Sequence, residues 1–372
     1  MGIKSISVKN YKCFINNKVE LNMPDNEQEG SGLTVLVGEN NVGKTAILST
    51  FQKLKHSGQI FREDKFNGKD IQIIFEDHNG NSLTIENIES GSQLTKEEDA
   101  DFDIKSENVN FLKDTRVWNS GISNPGLSNS NYRKNISYKR ADIDSSFSSL
   151  LAKLEKNDEL KSQVKEFDNL LRQIIPTFNS WKIDATAKGG AFISYTMFNG
   201  VQQDIDFSLG SGILNLFRIL YGLVVNDSVE ILIIDEPEVY LHPKAQESLS
   251  EVILKKSKDI QIIVSTHSPY MFRKTLNEKT KLIHFKRNDE SIEIDDIDRE
   301  FGLFGSSSPT YSEINYFAYG IISPEFHNEL YGFNHSKYIR NINTGTSISS
   351  FDRYLIQMGD QEKMWVYQDQ EM

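Results

Sequence analysis

Gly38-Glu39-Asn40-Asn41-Val42-Gly43-Lys44-Thr45 follows directly on the apolar run Leu33-Thr-Val-Leu-Val37. That run reads as a buried strand stopping at Gly38. Beyond it, from Thr45 to about Lys55, Ile47, Leu48, Phe51 and Leu54 fall at helical spacing. Strand, glycine-bounded loop and helix form the setting that a Gly-x4-Gly-Lys-Thr phosphate loop requires. Glycines let backbone N–H groups turn inward around phosphate oxygens, and the helix N-terminus adds positive partial charge. Lys44 would reach the β and γ oxygens, and the Thr45 hydroxyl suits a Mg²⁺ ligand. All eight residues from Gly38 to Thr45 are therefore candidate nucleotide contacts. A chance glycine turn would lack the flanking strand and helix.

The matching half of such a site lies about 190 residues further on. Val229-Glu-Ile-Leu-Ile-Ile234 ends in Asp235-Glu236-Pro237. A carboxylate at the end of a buried strand can hold the Mg²⁺ water shell, which is the expectation for Asp235. Glu236 follows at once and suits a general base that polarises the attacking water. After a helix predicted over about Pro243 to Lys256, the run Ile260-Gln-Ile-Ile-Val264 leads into Ser265-Thr266-His267. His267 thus stands at the C-terminal end of a strand, where open α/β sheets gather their ligand groups. Alone, a histidine there is more often structural, but beside these motifs it is a catalytic candidate. Apolar strands alternating with helices predict a parallel sheet covered on both faces.

Elsewhere the patterning is uneven. Residues 3–8 alternate as a half-buried strand, Val19 to Leu21 reads as a second, and Ile71–Phe75 with Leu83–Ile85 reads as a hairpin. Residues 89–145 are rich in Ser, Asn and Asp and read as loops. Phe147 to about Ile175 carries a helical apolar stripe ended by Pro176, too short for a sustained coiled coil. Strand-like segments return over 181–206, and a helix is predicted over Ile213–Val225. Residues 281–299 look like a hairpin, 310–340 look helical, and the last thirty are ambiguous.

Composition bounds the function classes. The chain has 372 residues, 38% hydrophobic and 25% charged, as a folded globular chain does. A net charge of −12 weighs against nucleic acid as the sole target, since phosphate neutralisation needs a basic excess. Asn131-Tyr-Arg-Lys-Asn-Ile-Ser-Tyr-Lys-Arg140 is the one basic, aromatic-interleaved stretch, and a solvated loop is its plainer reading. Cys13, the one cysteine, excludes an intrachain disulfide. With no apolar run of membrane-spanning length, no signal-peptide core and no Ser or Thr at position six after Gly2, the expectation is a cytoplasmic protein without membrane partners.

Taken in order, these motifs resemble the ABC-type ATPase heads of the RecF/SMC/overcoming-lysogenization-defect class. The opening strand reads Asn-Phe-Arg-Ser-Phe in many members of that class, and here Ile6-Ser-Val-Lys-Asn-Tyr-Lys-Cys-Phe14 is similar. Glu236-Pro-Glu-Val-Tyr-Leu-His-Pro243 and Ser265-Thr-His-Ser-Pro269 add to the likeness, which covers about residues 1–60 and 205–270. The resemblance implies an α/β P-loop NTPase fold with a mixed central sheet, an N-terminal antiparallel β subdomain and an inserted helical subdomain. It implies ATP and Mg²⁺ as cofactors, and a head-to-tail homodimer in which each ATP is sandwiched between two subunits. Leu209-Gly-Ser-Gly212 stands where the signature segment would be, so Ser211 and Gly212 would touch the γ-phosphate across the dimer. Gly210 departs from the usual serine. Lys12 falls where relatives carry a basic residue near the nucleotide, and Gln72 is a weak candidate for the glutamine loop.

The expected organisation is an ATPase lobe over 1–88, an inserted subdomain over 89–205, a second lobe over 206–300 and a helical partner-binding region over 301–372. No nuclease motif accompanies the ATPase motifs, and Glu293, Asp295, Asp296 and Asp298 read as a solvated hairpin. Glu313–Gly320 and Glu325–Tyr331 resemble a tail of bacterial defence ATPases, although packed helices would show the same residues. Three functional readings stand open. One is an ATPase, dimeric or of higher order, that regulates a separate nuclease or toxin in antiviral defence. The others are a RecF-like repair ATPase that binds DNA, and an ATP-bound scaffold with little turnover.

Overall fold

All five residues of the strand Leu33–Val37 (β3) are buried, and the same holds for Ile231–Asp235 (β11) and Gln261–Ser265 (β12). Runs without polar alternation are what strands covered on both faces require. The computed structural model describes residues 2–55, 64–87, 94–102, 104–105, 108–112, 161–185, 191–197, 202–204, 211–224, 229–273, 276, 279–288, 291–297, 303–304 and 309–342. Ahead of β3 run β1 (Ile3–Tyr11) and β2 (Phe14–Glu20), and after it come helices α1 (Lys44–Leu48) and α2 (Thr50–Lys55). Strands β4 (Gln72–Asp77), β5 (Ser82–Asn87), β6 (Leu94–Glu98) and β7 (Val109–Leu112) precede helix α3 (Lys161–Ile174). Then follow β8 (Phe178–Ala185), β9 (Ala191–Met197), β10 (Gln202–Asp204) and α4 (Ser211–Val224), and α5 (Pro243–Lys256) joins β11 to β12. The remainder comprises α6 (Pro269–Arg273), β13 (Lys281–Arg287), β14 (Ile292–Asp296), α7 (Tyr311–Tyr319) and α8 (Pro324–Ile342).

Three sheets result. The largest has the order β14-β13-β3-β12-β11-β7, parallel throughout except for the edge strand β14. An antiparallel sheet runs β2-β1-β4-β5-β6, and β10-β9-β8 form a third, also antiparallel. The first two share one apolar core with α1 and α2. Phe51 meets Phe75 at 5.5 Å between ring centroids, and Phe14 meets Phe285 at 6.4 Å. A second, aromatic cluster packs α3, β8 and α4 through Phe167, Phe178, Trp181 and Phe217.

Several expectations are corrected. The helix after the phosphate loop is two pieces: the Ser49 hydroxyl donates to the Ala46 carbonyl and that of Thr50 to Ile47, both at 2.7 Å. Such back-bonding competes with the helical ladder. Within the span read as loops, β6 and β7 are strands. The polar run Leu94-Thr-Lys-Glu-Glu98 escapes an apolar-alternation reading because it is a sheet edge. Residues 310–340 divide at Gly320, whose φ of 65° ends α7, and Pro324 opens α8. The stretch Asn131–Arg140 and the helical reading ahead of Lys161 lie outside the described residues.

The chain divides into two compact units, Met1–Glu300 and Phe301–Met372. In the second, a capping box of Thr310 and Glu313 starts α7, and Tyr316 stacks on Phe326 at 4.6 Å. The aromatic residues of the tail thus partly pack on one another. No described helix is long and apolar enough to cross a membrane.

Candidate functional site

Strand register assembles the site. In the order β3-β12-β11, Leu36 pairs with Ser265, and Ser265 pairs with Asp235. These positions are therefore level at the C-terminal edge of the parallel sheet, the edge where such sheets bind ligands. The chain leaves β3 there as the phosphate loop, with φ of 136° at Gly38, 63° at Asn41 and 96° at Gly43. A Cβ on Gly38 would lie 2.3 Å from the Phe285 carbonyl oxygen, and one on Gly43 would lie 2.7 Å from the Phe14 ring. Both glycines are thus required by space as well as by backbone angle. Val42 is buried and anchors the loop, leaving its backbone for a ligand, whereas Glu39, Asn40, Asn41 and Thr45 are exposed.

Lys44 is 4% exposed. Its ammonium donates to the carbonyls of Gly38 at 2.7 Å and Glu39 at 2.8 Å, and lies 3.4 Å from His267 Nδ1. Burial pulls its pKa down to about 8, against the opposing pull of Glu238, Asp235 and Glu39. Gly43 caps α1 without a side-chain hydrogen bond, so no side chain competes for the first-turn amides. A phosphate chain fits this cradle, since it supplies the acceptors that the ammonium and amides would take.

Across the edge, Thr45 Oγ1 donates to Asp235 Oδ1 at 3.1 Å, and Ser265 Oγ hydrogen-bonds the same carboxylate oxygen. Thr45 and Asp235 thus present two oxygen donors side by side that could hold a metal ion. Among the described residues no group of three or more His, Cys, Asp or Glu side chains forms a metal cage. Glu236 follows in a left-handed conformation, φ 51°, its N–H donating to the Ser265 carbonyl at 3.0 Å. For a non-glycine residue this backbone costs about 1 kcal/mol or more. Glu236 Oε1 lies 3.5 Å from His267 Nε2. Because an ammonium can only donate, Nδ1 accepts from Lys44, and a neutral ring then carries its proton on Nε2, facing Glu236.

The other candidates are more scattered. Lys12, on the β1–β2 turn with φ 50°, donates to Ser49 Oγ at 2.8 Å, one helical turn beyond Thr45. Gly212 is buried, and a Cβ there would meet the Tyr240 carbonyl oxygen at 2.6 Å, so it packs against the loop after β11. Ser211 opens α4, while Leu209 and Gly210 lie outside the described residues. Gln72 donates to Glu86 at 3.1 Å within the antiparallel sheet. Of the acids read as a hairpin, Glu293, Asp295 and Asp296 stand on β14, with Asp296 paired to Lys281 at 3.1 Å, and Asp298 lies outside the described residues.

Two further site residues escape the sequence reading. Ser265 braces Asp235, and Glu238 Oε1 accepts from the His267 main-chain N–H at 2.7 Å. Only the pairing of β11 with β12 reveals either, although the alignment of two strand-end motifs hints at Ser265.

A protein family described as an AAA domain, putative AbiEii toxin, type IV TA system, matches residues 33–273. The chain belongs to this AAA-domain family. It is similar to a retron Vc95 probable ATPase of Vibrio cholerae serotype O1 biovar El Tor, 27% identical over 158 residues. That match covers 38% of this chain and 30% of the relative. An uncharacterized Methanocaldococcus jannaschii protein is 33% identical over 78 residues, 21% of this chain and 20% of its own. The matched segments thus span under a third of either curated relative. In fold, this AAA-domain chain is similar to Smc heads. A Pyrococcus furiosus Smc head bound to the C-terminal domain of ScpA superposes with a TM-score of 0.52 at 15% identity, over 80% of this chain and 96% of that one. A second Smc head, bound to the C-winged helix domain of ScpA, gives 0.50 at 15% identity over 80% and 97%. The P-loop fold with a mixed central sheet and an SMC-like architecture is therefore the fold of this ATPase-class chain.

Proposed function

We propose that this chain hydrolyses ATP in a head-to-tail dimer and so regulates a separate effector, a nuclease or toxin, in prokaryotic antiviral defence. The convergence of Lys44, Thr45, Asp235, Glu236 and His267 on one sheet edge carries the reading. ATP with Mg²⁺ supplies the scissile phosphoanhydride and the divalent charge that offsets its oxygens. Lys44 would leave the Gly38 and Glu39 carbonyls for phosphate oxygens. Thr45 and Asp235 would hold the metal, directly and through its water. Glu236 would accept the proton of the attacking water while His267 Nε2–H steadies its carboxylate.

Gly212 lies against Tyr240 of its own chain. This contact fixes the start of α4 against the turn after β11, and the likeness to head-to-tail ATPase heads supports a signature segment offered to a second subunit. The similarity to a retron ATPase, together with the family description, supports defence as the setting. Glu236→Gln should trap an ATP-bound dimer on a sizing column, with wild type passing through it transiently. A variant that stays monomeric with ATP would overturn the head-to-tail reading. Wild-type turnover equal to that of Glu236→Gln would instead favour a stable ATP-bound scaffold.

A further inference from the structure

Glu238 has no part in the hydrolytic scheme above, yet its side chain is built into the site. One carboxyl oxygen, Oε1, accepts from the main-chain N–H of His267 at 2.7 Å. The turn that carries Glu238 is fastened to the segment after His267 from its far side as well. Gln246 Nε2 donates to the Leu241 carbonyl at 2.8 Å, while Gln246 Oε1 accepts from Ser268 Oγ at 2.5 Å. Thus Glu238 and Gln246 grip His267 and Ser268 respectively, and the imidazole projects from a fixed main chain. Its two nitrogens then face Lys44 at 3.4 Å and Glu236 at 3.5 Å.

We propose that Glu238 is the positioning residue for His267: by accepting the His267 N–H, it holds the imidazole between Lys44 and Glu236. The inference rests on the hydrolytic reading for its kinetic consequence but not for its geometry. Burial raises the Glu238 pKa, against the hydrogen bonds from His267 and Thr266, so the group works as an acceptor without needing to be ionised. Glutamine keeps an acceptor oxygen at the same reach and should therefore substitute for Glu238, whereas alanine should not.

The test uses the full chain with Glu238→Ala and Glu238→Gln, read in two ways. In steady-state turnover, Glu238→Ala should lower kcat about tenfold or more with KM for ATP within about threefold, and Glu238→Gln should stay within about threefold of wild type in both. In nucleotide-free protein, the His267 ring resonances, assigned by their loss in His267→Gln, should move in Glu238→Ala and keep their wild-type positions in Glu238→Gln. Unmoved ring signals in Glu238→Ala would overturn the proposal. So would a folded Glu238→Gln as impaired as Glu238→Ala, because the charge would then matter rather than the acceptor. If Glu238→Ala does not fold, Glu238→Asp, one methylene short of His267, replaces it with the same expectations and the same overturning results. If the wild type shows no turnover, the hydrolytic reading fails on its own, and the ring signals still decide whether Glu238 positions His267.

Discussion

The antiparallel sheet and the parallel sheet share a core, but the outer face of the first and the C-terminal edge of the second treat charge in opposite ways. On the antiparallel sheet, β4 and β5 alternate buried and half-buried residues, and Glu76 meets Lys18 at 3.3 Å and Lys4 at 3.8 Å at the surface. At the C-terminal edge of the parallel sheet, Lys44 and Asp235 are 4% and 3% exposed, and Glu236 takes a strained backbone conformation. Hydration satisfies the first arrangement, whereas the second must satisfy itself or a ligand. Neither feature alone marks the working edge, since Asp77 on β4 is 1% exposed and Asn10 on β1 has φ 52°; the cluster of buried Lys44 and Asp235 beside left-handed Glu236 does.

The contrast breaks most sharply at Lys44. Lys44→Ala should weaken ATP binding about 100-fold or more, since charge-assisted bonds to phosphate are lost, as titration with a fluorescent ATP analogue would read. Unchanged affinity would remove the central assignment. Glu236→Gln comes next, with a loss of about 10² to 10⁴ in kcat measured by phosphate release and ATP affinity retained. A third test uses pH. Folded Lys44 titrates at about 8 against its ordinary value of 10.5, so between those values the unfolded chain binds the extra proton. Stability without nucleotide should therefore rise as pH climbs from about 8 towards 10.5, by at most about 3 kcal/mol in total. Denaturant melts of Lys44→Met should lack that rise; an equal rise in this variant would assign it to another group. Smallest is Lys18→Ala on the antiparallel sheet, which removes only a surface partner of Glu76 and should cost under about 1 kcal/mol and leave turnover unchanged. A turnover defect there would erase the distinction between the two sheets.

Legibility in the sequence follows the same division. Residues consecutive in the chain, such as Gly38 to Thr45 or Asp235-Glu236, are readable because the motif carries its own geometry. The strands β3, β11 and β12 are readable because their burial leaves no polar alternation. Ser265 and Glu238 are not, since their partners are set by register between strands and by a turn. The contact of Lys12 with Ser49 depends on how the β1–β2 turn docks on α1, which no local pattern encodes. The division of 310–340 into two helices is signalled by Gly320 and Pro324, but the apolar residues that continue on both sides mask it.

Thr45 and Asp235 are 190 positions apart in the chain, yet their oxygens lie 3.1 Å apart. What joins them is the lateral pairing of β3, β12 and β11, not the length of the polypeptide between. Loop-closure entropy grows only as the logarithm of length. Longer loops between the elements of that span are therefore cheap for the ATP site, and such loops are open ground for new attachments. A single residue deleted within β11 is the opposite case, because it would turn Asp235 to the wrong face of the sheet.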